Sequence, residues 1–193
     1  MKPGWTRFLA SISLAAAMTP AADAQHSGDG VRKTAVRNHE TTLGGLAPGR
    51  TSFRQASVIL GRATAGNSWR TRSGDEITVD LDTKQLVQTI RMTQSLSAAP
   101  GVSDCASCVS EGRAWKTGLG LRLGSPEDRV IQLYGKPDSR SPSTKDGQQL
   151  ELLYYAFDWA GPDVPQVMEV LCTVGKNGEP GRVVEITLAA SSL

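Results

Sequence analysis

The feature that most constrains the fold is a pattern that occurs twice along the chain. It consists of a helix-length segment that is closed by a glycine and followed by alternating strands. The first segment, 51–60, ends at Gly61, and the second, 125–134, ends at Gly135. Glycine commonly follows the last turn of a helix because it adopts positive φ angles at little cost. Repetition at this scale predicts a fold built from two similar units.

Both segments carry signals that begin a helix. Ser52 followed by Gln55 fits a capping box, in which the two side chains satisfy free backbone N–H groups. In the second segment we predict Ser125 as the N-cap residue and Pro126 as the first helical residue. We expect each helix to bury an apolar face, formed in the first by Phe53, Ala56, Val58, Ile59 and Leu60 and in the second by Val130, Ile131, Leu133 and Tyr134.

Apolar residues at every second position predict β-strands after each helix. The alternating runs are 77–81, 86–92, 150–159, 168–174 and 184–188. The predicted fold class is therefore α+β, with two repeats of a short helix packed on an antiparallel meander. We assign repeat 1 to residues 43–95, a linker to 96–116 and repeat 2 to 117–193.

The N-terminal segment has the pattern of a secretory signal peptide. A basic start precedes an apolar run at 8–18, and residues 22–24 fit the A-x-A cleavage site. We therefore assign residues 1–24 to a signal peptide. The polar residues 25–42 have almost no periodicity and are predicted to form a flexible lead-in. No Cys follows the apolar run, so we expect no lipid anchor at a processed N-terminal Cys.

Composition limits the classes of partner and cofactor. Lys+Arg is 21 and Asp+Glu is 19, and a net charge of +2 is too small to predict nucleic-acid binding. No apolar stretch of about 18 residues is present, which argues against an integral membrane span. With two His and three Cys, the sequence indicates neither a metal site nor a cofactor. Five arginines give repeat 1 a basic bias that fits either an acidic partner or ordinary solvation: Arg50, Arg54, Arg62, Arg70 and Arg72.

Cys105 and Cys108 form a C-x-x-C motif in the linker. In an oxidising compartment we favour a structural disulfide between them that clamps the linker. A redox-active pair needs a helix that begins at the motif, whereas a loop-like segment leads into this one. Cys172 lies on an apolar strand face, where a free thiol acts as a small hydrophobic group. A disulfide between Cys172 and one linker cysteine is the competing arrangement.

The second repeat resembles a known family. The run LGLRLGSPEDRV at 119–130 and the run LYGKPD at 133–138 are similar to the signature of BamE-like (SmpA/OmlA-type) domains. Residues 183–188 resemble the closing strand of that unit, and 43–95 resemble a shorter, degenerate copy. The resemblance implies a helix over a small antiparallel sheet and, in tandem, a fold like the beta-lactamase-inhibitor protein. It also implies a binding or scaffold role in a bacterial envelope, without shared catalytic residues.

Aromatic residues concentrate on the predicted strands and the linker, and they are our candidates for contact with a partner. Tyr and Trp anchor many protein interfaces, although the same side chains also fill hydrophobic cores. The candidate protein-binding residues are Trp69, Trp115, Tyr155 and Trp159.

The sequence therefore predicts an exported, non-enzymatic bacterial protein, either periplasmic or secreted. We expect it to act as a protein-binding or assembly module whose partner is another envelope or secreted protein. Two alternatives stay open. One is a thiol-disulfide oxidoreductase that uses Cys105 and Cys108. The other, which rests on the tandem resemblance, is an inhibitor of a secreted hydrolase.

Overall fold

A computed structural model describes residues 37–95, 108–109, 115–157, 167–176 and 178–190. Within these ranges the chain forms two helices and seven strands. The helices are α1 (Phe53–Leu60) and α2 (Glu127–Tyr134). The strands are β1 (Ser68–Arg70), β2 (Glu76–Leu81), β3 (Val87–Thr93), β4 (Ser139–Lys145), β5 (Gln148–Ala156), β6 (Val167–Thr173) and β7 (Val183–Ala189).

These strands form one antiparallel sheet in the order β1-β2-β3-β7-β6-β5-β4. The two halves of the chain meet where β3 pairs with β7, with Ile90 opposite Leu188 and Met92 opposite Ile186. The predicted α+β fold of two helix-on-meander repeats is therefore wrong, because the structure is mainly one seven-stranded sheet with two short helices. Separate meanders would leave β3 and β7 as edges with unpaired N–H and C=O groups, and direct pairing removes both edges.

Both helices pack on the same face of the sheet. The ring of Phe53 in α1 lies 5.9 Å from that of Trp69, and the ring of Tyr134 in α2 lies 5.9 Å from that of Tyr155. Trp69 stands in the same cross-strand row as Leu153, which is two residues before Tyr155 and so shares its face. The row that crosses the sheet consists of Trp69, Ile77, Met92, Ile186, Val170 and Leu153.

The predicted start of the helix is confirmed for α1 but not for α2. The capping box of α1 is confirmed: Ser52 Oγ accepts from the Gln55 N–H at 3.3 Å, and Gln55 Oε1 accepts from the Ser52 N–H at 2.8 Å. In α2 the N-cap residue is Pro126, and it has no side-chain cap. The predicted Ser125 cap is wrong because its hydroxyl accepts from the N–H of Arg122, at 3.3 Å.

The buried face of α1 is narrower than predicted. Ala56 and Leu60 are buried, whereas Val58 is 81% exposed and Ile59 is 46% exposed. Residues four apart share one side of a helix, so the 56/60 pair faces the sheet and residue 58 points away from it. The predicted burial of Val58 and Ile59 is therefore wrong.

The two edge strands, β1 and β4, carry no alternating pattern and were not predicted. Strand β4 has the sequence SRSPSTK, and five of its seven residues are exposed. Proline has no N–H to donate, and an edge strand tolerates it because such a strand pairs on one side only. Pro142 lies opposite Glu151 of β5. Because β4 is largely exposed to solvent, it lacks the alternating apolar residues on which strand prediction depends.

Residues 37–42, which we call the N-terminal strap, pack against the sheet and α2. The two carboxylate oxygens of Asp138 each accept from Arg37 Nη1 at 2.8 Å. Arg37 Nε also donates to the carbonyl oxygen of Tyr134, at 3.3 Å, and Asn38 Nδ2 donates to the carbonyl oxygen of Leu133, at 3.0 Å. The end of the predicted lead-in is thus anchored rather than flexible, and residues 25–36 lie outside the described residues.

Candidate protein-binding surface

The aromatic residues predicted as partner contacts belong to the core. Trp69 is 0% exposed, and its Nε1 donates to the carbonyl oxygen of the glycine that ends α1, at 2.8 Å. Tyr155 is 0% exposed, and burial raises its pKa to about 12. Trp115 is 8% exposed. The prediction that these three side chains meet a partner is therefore wrong, because they lack accessible surface, and Trp159 lies outside the described residues.

The two described cysteines, Cys108 and Cys172, differ in burial. Cys172 is free and buried, and burial raises its pKa to about 12, so the thiol is unreactive at neutral pH. A disulfide between Cys172 and the linker is therefore wrong. The Sγ of Cys108 lies 3.3 Å from the carbonyl oxygen of Thr71, and Cys108 and Val109 belong to no helix. Cys105 lies outside the described residues, so its disulfide with Cys108 stays a prediction.

A buried carboxylate, that of Glu40, lies where the strap meets the loop before α2. Glu40 is 1% exposed. Its Oε2 accepts from the Tyr134 hydroxyl at 2.7 Å. The remaining hydrogen bonds come from four backbone N–H groups at 2.8–3.0 Å, those of Thr41, Thr42, Gly118 and Leu119. No local sequence pattern indicates this site, because Gly118 and Tyr134 are 78 and 94 residues away from Glu40.

The surroundings of Glu40 give it a structural rather than a chemical role. Burial raises the pKa of Tyr134, and the charge of Glu40 raises it further, so the phenol stays protonated and donates. The Thr117 hydroxyl lies 2.8 Å from the Tyr134 hydroxyl and completes the cluster. Because both carboxylate oxygens already accept hydrogen bonds and face no solvent, Glu40 is not placed to take a proton from a bound molecule.

The sheet face opposite the helices, which we call the helix-free face, carries charges that pair with one another. Arg91 Nε lies 3.3 Å from Glu185 Oε1, and Lys145 forms a second ion pair with the same carboxylate. Arg70 Nη2 lies 3.1 Å from Glu76 Oε2. Arg70, Glu76, Arg91 and Glu185 alternate along their strands with core residues, whereas Lys145 extends from the exposed edge strand β4. Their charges are therefore neutralised within the face itself.

The outer side of α1 has a different character. We define the α1 surface as Arg54, Gln55, Val58, Ile59 and Arg62, all of which are exposed. Arg54 and Val58 are four residues apart and share one side of the helix. Among the described residues, no carboxylate forms an ion pair with Arg54 or Arg62. Along the chain, the two exposed aliphatic residues thus lie between two exposed arginines.

The charge of this surface reflects the local sequence. Residues 41–74 contain five of the 21 Lys+Arg and none of the 19 Asp+Glu. Arg70 pairs with Glu76, which lies beyond this segment. The helix α1 itself has no acidic residue, whereas the first turn of α2 contains Glu127 and Asp128. The near-neutral chain therefore concentrates positive charge around α1.

Comparisons with known proteins identify no family for this chain. No protein-family model matches the sequence, and no curated protein matches it either. Two solved structures are similar in part. A DUF4309 family protein from Bacillus subtilis has a TM-score of 0.42 and 12% identity, covering 79% of this chain and 88% of its own. A cysteine-rich secretory protein from Staphylococcus aureus has a TM-score of 0.29 and 9% identity, covering 73% and 44%.

Neither helix in the described ranges has the length and apolar character needed to cross a membrane. Each contains eight residues, about 12 Å of helix, against a hydrocarbon core of roughly 30 Å. The expectation that no helix of the folded part spans a membrane is met for these residues.

Proposed function

We propose that this chain is an exported, non-enzymatic protein-binding module of a bacterial envelope, either periplasmic or secreted, and that its partner contacts the α1 surface. The signal-like pattern of residues 1–24 supports export. The observation that carries the binding role is the exposure of Val58, at 81%, and Ile59, at 46%, beside Arg54 and Arg62, which form no ion pair with a carboxylate of the described residues.

The residue types of this surface favour an interface over plain solvation. A single exposed aliphatic residue is common on any protein. Here two adjacent ones lie on a helix that buries Ala56 and Leu60 in the core, and Val58, at 81% exposed, adds little to the packing of the sheet. Arginine is enriched at protein interfaces, where its guanidinium binds carboxylates and carbonyls.

The test compares two exposed valines that lie in different parts of the chain. Val58→Arg replaces the centre of the α1 surface, and Val174→Arg replaces a valine that is 48% exposed just after β6. Both variants should unfold within about 0.5 kcal/mol of the wild type, because neither side chain is buried. We expect crosslinked capture of the envelope partner to be lost with Val58→Arg and kept with Val174→Arg. Equal capture by the two variants would refute the α1 surface as the contact.

The same experiment separates binding from thiol exchange. A partner held by the α1 surface stays captured when reductant is added before crosslinking. A partner that disappears with reductant, and also with Cys105→Ser, would instead favour the oxidoreductase alternative. Retention of the partner under both conditions supports the non-enzymatic role.

A further inference from the structure

The charge around α1 also specifies the chemistry of its partner. We infer that the partner presents an acidic segment with interspersed aliphatic residues to the α1 surface, an inference that rests on the proposed function. Arg54 and Arg62 supply guanidinium groups that no described carboxylate neutralises. Val58 and Ile59, which lie between these arginines in the sequence, supply exposed apolar surface. A ligand that is complementary to all four must carry carboxylates and aliphatic side chains together.

The helix-free face shows why this charge points to a partner rather than to internal pairing. There the Glu185 carboxylate forms ion pairs with both Arg91 and Lys145, and the Glu76 carboxylate pairs with Arg70. Each described basic group of that face therefore has a carboxylate partner. Around α1, the segment 41–74 offers no Asp or Glu that could do the same. An incoming acidic segment would supply the missing carboxylates, and guanidinium groups bind carboxylates in a bidentate manner.

An acidic protein segment fits this surface better than an anionic lipid surface. Helices that lie in a membrane interface carry a broad apolar face, often with aromatic residues. The outer side of α1 presents two aliphatic residues, and its one aromatic residue, Phe53, is half-buried against Trp69. Arginine binds carboxylates directionally, whereas a lipid surface requires only positive charge.

Synthetic peptides provide a defined probe. One labelled peptide repeats Leu-Glu-Glu, a second repeats Leu-Gln-Gln and a third repeats Leu-Lys-Lys, and binding to the mature protein is followed by fluorescence anisotropy. We expect the Glu peptide to bind at least about tenfold more tightly than the Gln peptide, and the Lys peptide to bind least. The preference should shrink at high salt because exposed charge pairs are screened.

Charge reversal locates the binding. Arg54→Glu should weaken binding of the Glu peptide at least about tenfold, whereas Arg129→Glu, which reverses an exposed arginine of α2, should change it less than about twofold. Equal affinity for the Glu and Gln peptides would overturn the inference. Equal weakening by both variants would also overturn it, because the charge effect would then be a property of the whole chain.

Two outcomes distinguish this inference from a lipid ligand and from the proposed function alone. If phosphatidylglycerol vesicles sediment the protein while the Glu peptide fails to bind, the ligand of the α1 surface is a lipid and the inference is refuted. If Val58→Arg abolishes capture of the envelope partner but Arg54→Glu does not, the proposed function stands while the acidic nature of the partner is refuted. Loss of capture with both variants supports the two together.

Discussion

The helices α1 and α2 have the same length and are each followed by a glycine, yet they are held in place by different parts of the chain. The first turn of α1 is capped by the local pair Ser52 and Gln55. No side chain caps the start of α2. Its last carbonyl groups instead accept from Arg37 and Asn38, and Arg37 is 97 residues away from the carbonyl that it contacts.

This difference indicates that binding and stability depend on different helices. The cap of α1 comes from residues next to it in the sequence, and the outer side of this helix leaves Val58 and Ile59 exposed. The end of α2 is covered by the strap and contributes to the core of the structure. We therefore expect changes near α2 to affect the free energy of unfolding, and changes on the α1 surface to affect binding.

The largest loss in the free energy of unfolding should come from Glu40→Ala. The change leaves four backbone N–H groups and the Tyr134 hydroxyl without their acceptor in a buried site. We expect the free energy of unfolding in urea to fall by about 3 kcal/mol or more. Glu76→Ala, which breaks an exposed ion pair on the helix-free face, should cost at most about 1 kcal/mol. Similar losses in the two variants would contradict the comparison.

A smaller effect is expected from Arg37→Ala. The variant loses the hydrogen bonds to Asp138 and the contact with the end of α2, and the side chain of Arg37 is 19% exposed. We expect a loss of about 2 kcal/mol, measured by urea unfolding. Arg37→Lys keeps the charge but cannot bind Asp138 and the carbonyl oxygens of Tyr134 and Lys136 at the same time, and it should fall between the wild type and Arg37→Ala. A full rescue by Lys would show that charge alone holds the strap.

The strap should also weaken in acid. Partial burial alone would raise the pKa of Asp138, but hydrogen bonds from the Ala156 N–H and from Arg37 hold it below its usual value. A carboxyl with a lowered folded pKa stabilises the fold above its unfolded pKa, about 3.9, and loses that contribution as pH falls through the folded value. Asp138→Asn should flatten the decline of the melting temperature below about pH 4. An unchanged decline would assign the acid sensitivity to other groups.

The smallest stability effect should come from Ser52→Ala, which removes half of the capping box. We expect a loss of about 1 kcal/mol in the free energy of unfolding. Ser57→Ala serves as the control within the same helix, because Ser57 Oγ donates to the carbonyl oxygen of Phe53 and caps no free N–H. A loss with Ser57→Ala as large as that with Ser52→Ala would show that the cap adds nothing special.

Local chemistry made part of the structure predictable. The capping box of α1 follows from Ser52 and Gln55 alone, and alternation places Met168, Val170 and Cys172 on one buried face of β6. Such features depend on neighbours within a few residues. They are visible in a single sequence without knowledge of the rest of the fold.

The remaining features depend on distant parts of the chain. Pairing of β3 with β7 turns two expected meanders into one sheet, and no local pattern specifies it. The α1 segment has more apolar residues than one face can bury, so only its position on the sheet decides that Val58 points outward. Trp69 and Tyr155 were assigned to a surface because composition cannot separate a core aromatic residue from an interface residue.

The strap also has a consequence for the order in which the chain can close. Glu40 is made long before Tyr134, which lies 94 residues later. At typical rates of synthesis this separation corresponds to about 5 to 20 s. During that time the carboxylate stays hydrated, and residues 37–42 cannot close on α2 until α2 has been made.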